Sequence, residues 1–329
     1  MKQLVALVDS PDHVCVRYRL TAFRPALAAA GWQLDLVPLP KRPFARMGML
    51  RKLRWADAVL VQRKLIPRLE INLLRRAVRR LLFDFDDAVW LRDSYSAKGL
   101  DAPRRAYRFA AVVHAADRVI AGNDYLAGEA RMFTTADRVA VIPTCVEPST
   151  YPVATHAGDR VRLVWVGSAS TLKGLDRFRP TLEAVGRAVP GLTLRLVCDQ
   201  FLGFDGLKVE RVNWKQETEA PDLAACDIGI GWVPDDRWSR GKCGLKLLQY
   251  HAAGLPVVAN PVGVQADMVT DGVTGYQATT ADEWVAAVKK LAADAELRKQ
   301  LGAAGRRQVA ERYSVAAGGR LWAEVLKSL

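Results

Sequence analysis

The stretch Lys242 to Gly263, KCGLKLLQYHAAGLPVVANPVG, constrains the fold of this chain more than any other. Leu245, Leu248 and Ala252 fall on one helical face, with Lys246 and Gln249 on an adjoining stripe. Gly254 closes that helix, Pro256 forbids its continuation, and Val257 to Ala259 is a short apolar run that reads as a buried parallel strand. A helix, a glycine turn and a buried strand in that order belong to a layered α/β architecture. A lysine and an amide near the helix start, beside a glycine turn, are what a diphosphate and a ribose require. An ordinary amphipathic helix with solvated polar residues has the same pattern, so the choice falls to the rest of the chain.

The same alternation runs through both halves. Leu4 to Val8, Leu34 to Val37, Ala58 to Val61, Leu81 to Phe85, Arg118 to Ala121 and Val139 to Ile142 read as strands, with helices at Leu20 to Ala30, after Val61 and at Ala106 to Ala116. Residues 147 to 160 read as a linker. Strands then recur at Leu163 to Val166, Leu192 to Val197, Val209 to Val212 and Ile228 to Ile230, with helices at Asp176 to Val189, Glu219 to Ala225, Ala281 to Ala293, Ala295 to Arg312 and Val315 to Leu329. Such alternation implies parallel sheets with right-handed crossovers. The expected fold is α/β, two doubly wound Rossmann-like domains facing a central cleft: 1–152, and 153–312, with the helix 313–329 packing back on the first.

At 329 residues, half of them apolar, the chain can bury two cores. No apolar run reaches the roughly 18 residues of a membrane span. The start, MKQLVALVDSPDHV, reads as a strand and not a signal peptide, which places the chain in the cytoplasm. The five cysteines are scattered and lack CxxC spacing, against a disulfide framework or a zinc site.

The net charge of +13 is concentrated in the first 150 residues, with 25 Lys and Arg against 15 Asp and Glu. Between residues 41 and 80, arginines and lysines, Arg51 and Lys52 among them, interleave with Phe44, Met47, Leu50 and Trp55. That mixture suits an anionic bilayer surface, peripheral at the inner face of the cell membrane, or a phosphorylated acceptor; it also suits a solvated basic face. No nucleic-acid-binding pattern accompanies it, so no nucleic-acid partner is expected. FDFDD ends a strand with Asp84, Asp86 and Asp87, three acids whose crowding is costly unless they meet cations, hydroxyls or arginine.

In the second half IPTCVEPSTY, LVWVGSASTLKGL, CDIGIGWVP, GKCGLKLLQYHAAGLPVVANPVGV and DGVTGY stand in the order and spacing of the retaining GT-B glycosyltransferases of family 4. VDSPDHVCVRYRL, FDFDDAVWL and ADRVIAGNDYLA in the first half are more loosely similar to the same family. The resemblance implies transfer of a sugar from a nucleotide-diphosphate-sugar donor, held mostly by the second half, to a glycan or lipid-linked acceptor held by the first. It implies retention, a place in cell-envelope or polysaccharide synthesis, and no cofactor or bound metal.

Residue by residue, the resemblance implies that Lys246 faces the donor phosphates and that Lys173 reaches them too, with Ser168 where the family carries an arginine. Gly167 lets the backbone approach, and Ser168 and Thr171 can donate hydrogen bonds. Of the two acids the family often places at the helix start, Gly241 and Gln249 occupy the positions. Gln249 keeps a ribose contact, while the sugar contact passes to Trp238, Ser239, Arg240 or Lys242. Trp214 lies where the family contacts the base, although it equally suits packing under a loop, and Asp199 sits at a strand end nearby. Asp86 falls where the family places a histidine that approaches the reacting sugar and Asp87 where an aspartate follows, Asp86 being the better candidate to orient the acceptor hydroxyl or to bond the donor sugar. Arg17 and Arg19, expected in a loop after the first strand, are acceptor-side candidates or partners for the acids. A sugar-nucleotide epimerase and a non-catalytic nucleotide-sugar-binding subunit are the alternatives.

Overall fold

A computed structural model describes residues 1–157 and 160–329, the side chains at 43, 44, 47, 51 and 52 excepted. Gly158 and Asp159 of the expected linker, and the side chains of Phe44, Met47, Arg51 and Lys52 of the basic segment, lie outside the described residues. Two compact units emerge. The first comprises Met1–Cys145, Asp236–Cys243 and Val315–Leu329; the second comprises Val146–Asp235 and Gly244–Ser314. Neither is one continuous stretch of chain. The eight residues Asp236–Cys243, expected with the second half, fall in the first unit.

The first unit is a six-stranded parallel sheet of β1 (Lys2–Val8), β2 (Trp32–Pro38), β3 (Ala58–Gln62), β4 (Leu81–Phe85), β5 (Arg118–Ala121) and β6 (Val139–Val141), in the order β2-β1-β3-β4-β5-β6. Every strand residue of β3 and β4 is buried, as apolar runs covered on both faces demand. Successive side chains serve opposite cores: Leu4, Ala6 and Val8 join one cluster, Val5 and Leu7 the other. The helix Val315–Lys327 completes the first of these, where Trp322, Val325 and Leu326 are buried beside Phe23 and Leu27. Each such side chain contributes about 1.5–3 kcal/mol by leaving water.

The second unit is another six-stranded parallel sheet: β7 (Arg162–Val166), β8 (Thr193–Cys198), β9 (Lys208–Asn213), β10 (Ile228–Gly231), β11 (Val257–Ala259) and β12 (Gly275–Gln277), in the order β12-β11-β10-β7-β8-β9. The strand order turns back between β1 and β3 in the first unit and between β7 and β10 in the second. Those are the places where doubly wound sheets bind ligands, beyond the carboxyl ends of the strands. No helix among the described residues is long and apolar enough to cross a membrane.

Several local expectations change. Val14–Arg19 is helical, with His13 as its cap, so Arg17 and Arg19 do not lie in a loop. Ala169–Arg177 and Arg179–Ala188 replace the single helix expected from Asp176, because Pro180 suits the first turn of a new helix and not the interior of an old one. The helix Asp124–Arg131, begun by Asn123, and the three-residue β12 were not anticipated. The helix Leu245–Ala252 is buried on nearly all sides from Leu247 onward, and is not the half-solvated amphipathic helix its pattern suggested. Gly254, at φ 75°, supplies the left-handed turn that ends it.

Candidate functional site

In the second unit the candidate residues converge on the end of β7. The Val166 N–H donates to the Tyr250 hydroxyl at 3.0 Å, tying the strand end to the helix Leu245–Ala252. Gly167 follows. A Cβ there would collide with the Trp165 ring and lie 2.6 Å from Thr171 Oγ1, so the backbone alone fits. The Ser168 N–H donates to Thr171 Oγ1 at 3.1 Å, and Ser168 opens the helix Ala169–Arg177 with its hydroxyl 2.9 Å from that of Ser170.

Lys246 reaches the same place. Its Nζ lies 3.5 Å from Thr171 Oγ1 and 3.9 Å from the centre of the Trp165 ring, which holds the ammonium over an aromatic face. Lys246 sits in the first turn of its own helix, whose N-cap, Gly244, has no side chain and which has no acid in that turn. A cation and the positive end of a helix dipole therefore meet at one helix start, the arrangement that attracts phosphate. Glycines in CDIGIG make this packing possible: a Cβ at Gly229 would strike the Tyr250 ring, and one at Gly231 would lie 2.7 Å from Leu247.

Other second-unit expectations fare differently. Lys173 is exposed on the helix Ala169–Arg177. Asp199 accepts from the Ala169 N–H at 2.8 Å, so a carboxylate already caps that helix, and its hydrogen bond with Cys198 holds its carboxyl below the usual range. Gln249 is only 2 % exposed and donates to the Tyr151 hydroxyl at 3.4 Å, a placement that does not support the direct ribose contact expected of it. Trp214 is 38 % exposed, with its indole N–H donating to Glu219 at 2.6 Å.

In the first unit each of the three crowded acids has met a cation. Asp84 is fully buried against Arg19, which also donates to the Ile142 carbonyl. Burial opposes the charge of the Arg19 guanidinium, yet Asp84 outweighs it and raises its pKa. Arg19 is therefore a buried structural partner and not an acceptor contact. Arg17 stacks on Tyr18 and donates to its hydroxyl at 3.1 Å. Arg63 donates to Asp86 at 2.6 Å and to Asp87 at 3.2 Å. Burial pushes the Asp86 carboxyl up, but Arg63 and Arg19 more than offset it and hold it below the usual range.

Arg63 was missed in the sequence. It directly follows β3, where ligands gather in such sheets, and it holds φ 56°, a left-handed conformation uncommon for a non-glycine residue. Strain of that kind persists where surroundings over-determine it, here two carboxylates and the Cys15 sulfur at 2.9 Å.

A cavity of about 780 Å³ opens beside this group, at the point where the strand order turns back. Asp87 lines it together with Asp9, His13, Arg63, Lys64 and Trp238. Asp86, Arg17 and Arg19 do not, so Asp87 and not Asp86 is the acid presented to the cavity. Trp238 brings the segment Asp236–Cys243 to its wall. Asn123 donates to the Lys242 carbonyl at 2.9 Å, and Lys242 pairs with Asp87 at 3.4 Å while lying 3.4 Å from the centre of the Trp238 ring. Ser239 is buried against Ser94, and Arg240 is exposed. Trp238, Ser239, Arg240 and Lys242, expected as donor contacts in the second half, thus all stand in the first unit. His13, at the cavity, is pushed below its ordinary pKa by burial and by Arg63.

Residues 237–308 match the family described as Glycosyl transferases group 1. The chain is 26 % identical over 223 residues to the D-inositol 3-phosphate glycosyltransferase of Segniliparus rotundus, a match covering 59 % of this chain and 48 % of that protein. It thus spans about half the length of that curated relative. Among solved structures, sucrose-phosphate synthase from Thermosynechococcus elongatus superposes with a TM-score of 0.76 at 18 % identity, covering 100 % of this chain and 99 % of that one. Anabaena HepE in complex with UDP and glucose gives 0.73 at 15 % identity over the whole of both chains. At such identities the likeness shows the fold. Together these matches bear out the resemblance to GT-B glycosyltransferases of the group 1 type.

Proposed function

We propose that this chain, whose residues 237–308 carry the group 1 glycosyl transferase match, transfers a sugar from a nucleotide-diphosphate-sugar donor to an acceptor hydroxyl. The observation that carries the reading is the meeting of Lys246, Thr171, Ser168 and the Gly167 backbone at the turning point of the second sheet. As the glycosidic bond breaks, negative charge grows on the departing diphosphate, and fixed positive groups at that place lower the barrier. Lys246 and the adjoining helix N–H groups supply that charge in this reading, so no metal is required. Trp214 offers an exposed aromatic face for the base. The structural relative that contains UDP and glucose supports a uridine nucleotide as the first donor to try.

The acceptor belongs in the first-unit cavity, its hydroxyl accepted by Asp87, with Lys242 and Arg63 holding that carboxylate in place. Retention of configuration and a role in cell-envelope or polysaccharide synthesis, on a glycan or lipid-linked acceptor, complete the proposal. Exposed Trp55 and Leu69, beside exposed Arg54 and Arg68, support peripheral contact with an anionic membrane.

The test is a thermal-shift screen with UDP-, GDP-, ADP- and TDP-sugars, followed by turnover with and without EDTA. One donor should stabilise the protein, and EDTA should leave turnover unchanged. Lys246→Ala should weaken donor binding about 10- to 100-fold, the worth of one charge-assisted hydrogen bond, while the fold persists. Full activity in that variant would remove Lys246 from its role. Gly241 and the buried Gln249, in place of two acids, favour a nucleotide-sugar-binding subunit as the second reading. Tight donor binding without turnover across a broad acceptor panel would select it.

A further inference from the structure

The first-unit cavity carries more positive charge than its own carboxylates balance. Lys64 is taken by Asp9 at 2.7 Å, and Arg63 by Asp86 and Asp87. Three arginines remain on the lining, Arg104, Arg105 and Arg108, against one further carboxylate, Asp93. Arg105 donates to the Leu91 carbonyl at 2.7 Å, which fixes its direction without neutralising it. The side chains of Arg104 and Arg108 have no hydrogen bond or ion pair among the described residues. They stand four positions apart on the helix Pro103–Ala115 and therefore on one face.

The helix itself gains nothing from them. Its first turn has no acid and its N-cap, Ala102, makes no side-chain bond, while Arg104 and Arg105 place cations at the end where the helix dipole disfavours them. Arginines kept at an electrostatic cost, on a cavity wall, answer to something that enters the cavity.

We propose that this arginine face recognises a phosphate group on the acceptor, so that the substrate is a phosphorylated hydroxyl compound. The inference rests on the reading of this cavity as the acceptor site and adds the acceptor's chemical class. Three cations against Asp93 leave an excess of two, and a phosphate monoester near neutral pH carries about −1.5 to −2. Guanidinium forks match phosphate oxygens in pairs, which a single carboxylate cannot use as fully. A volume of about 780 Å³ accommodates a sugar or polyol attached to that phosphate, with its free hydroxyl directed to Asp87.

Binding to the full-length protein is measured by calorimetry with glucose 6-phosphate and glycerol 3-phosphate, against glucose and glycerol. Phosphatidylinositol 4-phosphate vesicles, whose headgroup carries a phosphate monoester, against phosphatidylcholine vesicles, form the lipid-linked arm. At least one phosphorylated probe should bind tenfold or more tightly than its neutral counterpart. Arg104→Ala/Arg108→Ala should abolish the difference, and Arg104→Lys/Arg108→Lys should restore part of it. A preference for vesicle-borne phosphate identifies a lipid-linked acceptor; a preference for soluble probes identifies a soluble one. Phosphorylated probes that bind no better than neutral ones, or whose binding survives the double alanine substitution, overturn the proposal. Phosphate binding through these arginines in a protein that binds no nucleotide would uphold the phosphate site, defeat the glycosyltransferase reading and overturn the assignment of that phosphate to an acceptor.

Discussion

Gly241→Ala is the smallest perturbation that asks why the acid implied by the family resemblance is missing. A Cβ at that position would lie 2.8 Å from Ala88 Cβ, 2.9 Å from Ala88 N and 3.1 Å from Leu126 Cδ2. Leu126 can turn aside, but the Ala88 amide is held where it is, donating to Asp87 Oδ1 at 3.2 Å. Overpacking a rigid site costs about 1–3 kcal/mol, and contact with a backbone atom places alanine near the middle of that range, about 2 kcal/mol, and glutamate at or above its top. For a unit of this size each kcal/mol lowers Tm by about 2–4 °C, so Gly241→Ala should melt about 4–8 °C lower. Differential scanning calorimetry gives the shift, and hydrogen exchange on β3 and β4 assigns it to the first unit. Adding Ala88→Gly removes the Cβ contact and leaves the amide contact, so about half the loss should return. A Gly241→Ala variant that melts within about 1 °C of the parent would refute the reasoning, since the segment would then yield freely and packing would not explain the absent acid.

Removing Arg19 leaves Asp84 buried and unpaired, so Arg19→Met should cost about 3–5 kcal/mol in urea unfolding, with most of it recovered in Arg19→Met/Asp84→Leu. His251 is fully buried and its pKa falls from 6.5 to about 4 through desolvation. The unfolded chain therefore binds the extra proton between those values, and stability present above pH 6.5 is lost as pH falls toward 4. From pH 7 to pH 5 the second unit should lose about 2 kcal/mol, and His251→Gln should flatten that slope in denaturant titrations. Arg104→Ala/Arg108→Ala removes one cation, Arg104, from an unfavourable helix end and should raise thermal stability by about 0.3–1 kcal/mol while phosphate binding disappears; a drop in Tm would show that these arginines serve the fold.

Most of the fold was legible because parallel strands buried on both faces read as unbroken apolar runs, as at Leu81 to Phe85. The helices Ala281–Ala293 and Ala295–Arg312 were legible to their ends, since Thr280 with Glu283 and then Asp294 mark their starts. Val14–Arg19 escaped because its cap is a histidine, a residue outside the usual capping set, and β12 because it is three residues long and begins with glycine. The crowded acids did announce a need for cations. Which cations answer is a matter of tertiary approach: Arg19 lies 65 positions from Asp84, and Lys242 lies 155 from Asp87. The allegiance of Asp236–Cys243 was equally invisible, because Asn123, Gly122 and Ala88 hold it from more than a hundred positions away. Lys246 was legible because its surroundings are local: a glycine before it, a helix around it and a strand-end loop of recognisable composition.

The divided first unit also sets a schedule for the growing chain. Domains generally fold in the order of their synthesis. Here the segment Met1–Cys145 waits for Val315–Leu329, made much later, since the core face built on Leu4, Leu60, Leu82 and Ile120 is closed by Trp322, Val325 and Leu326. All of the second unit has been made by Ser314. A nonsense codon just after that point would delete nothing from the second unit and still leave the core of the first, made before it, unfinished.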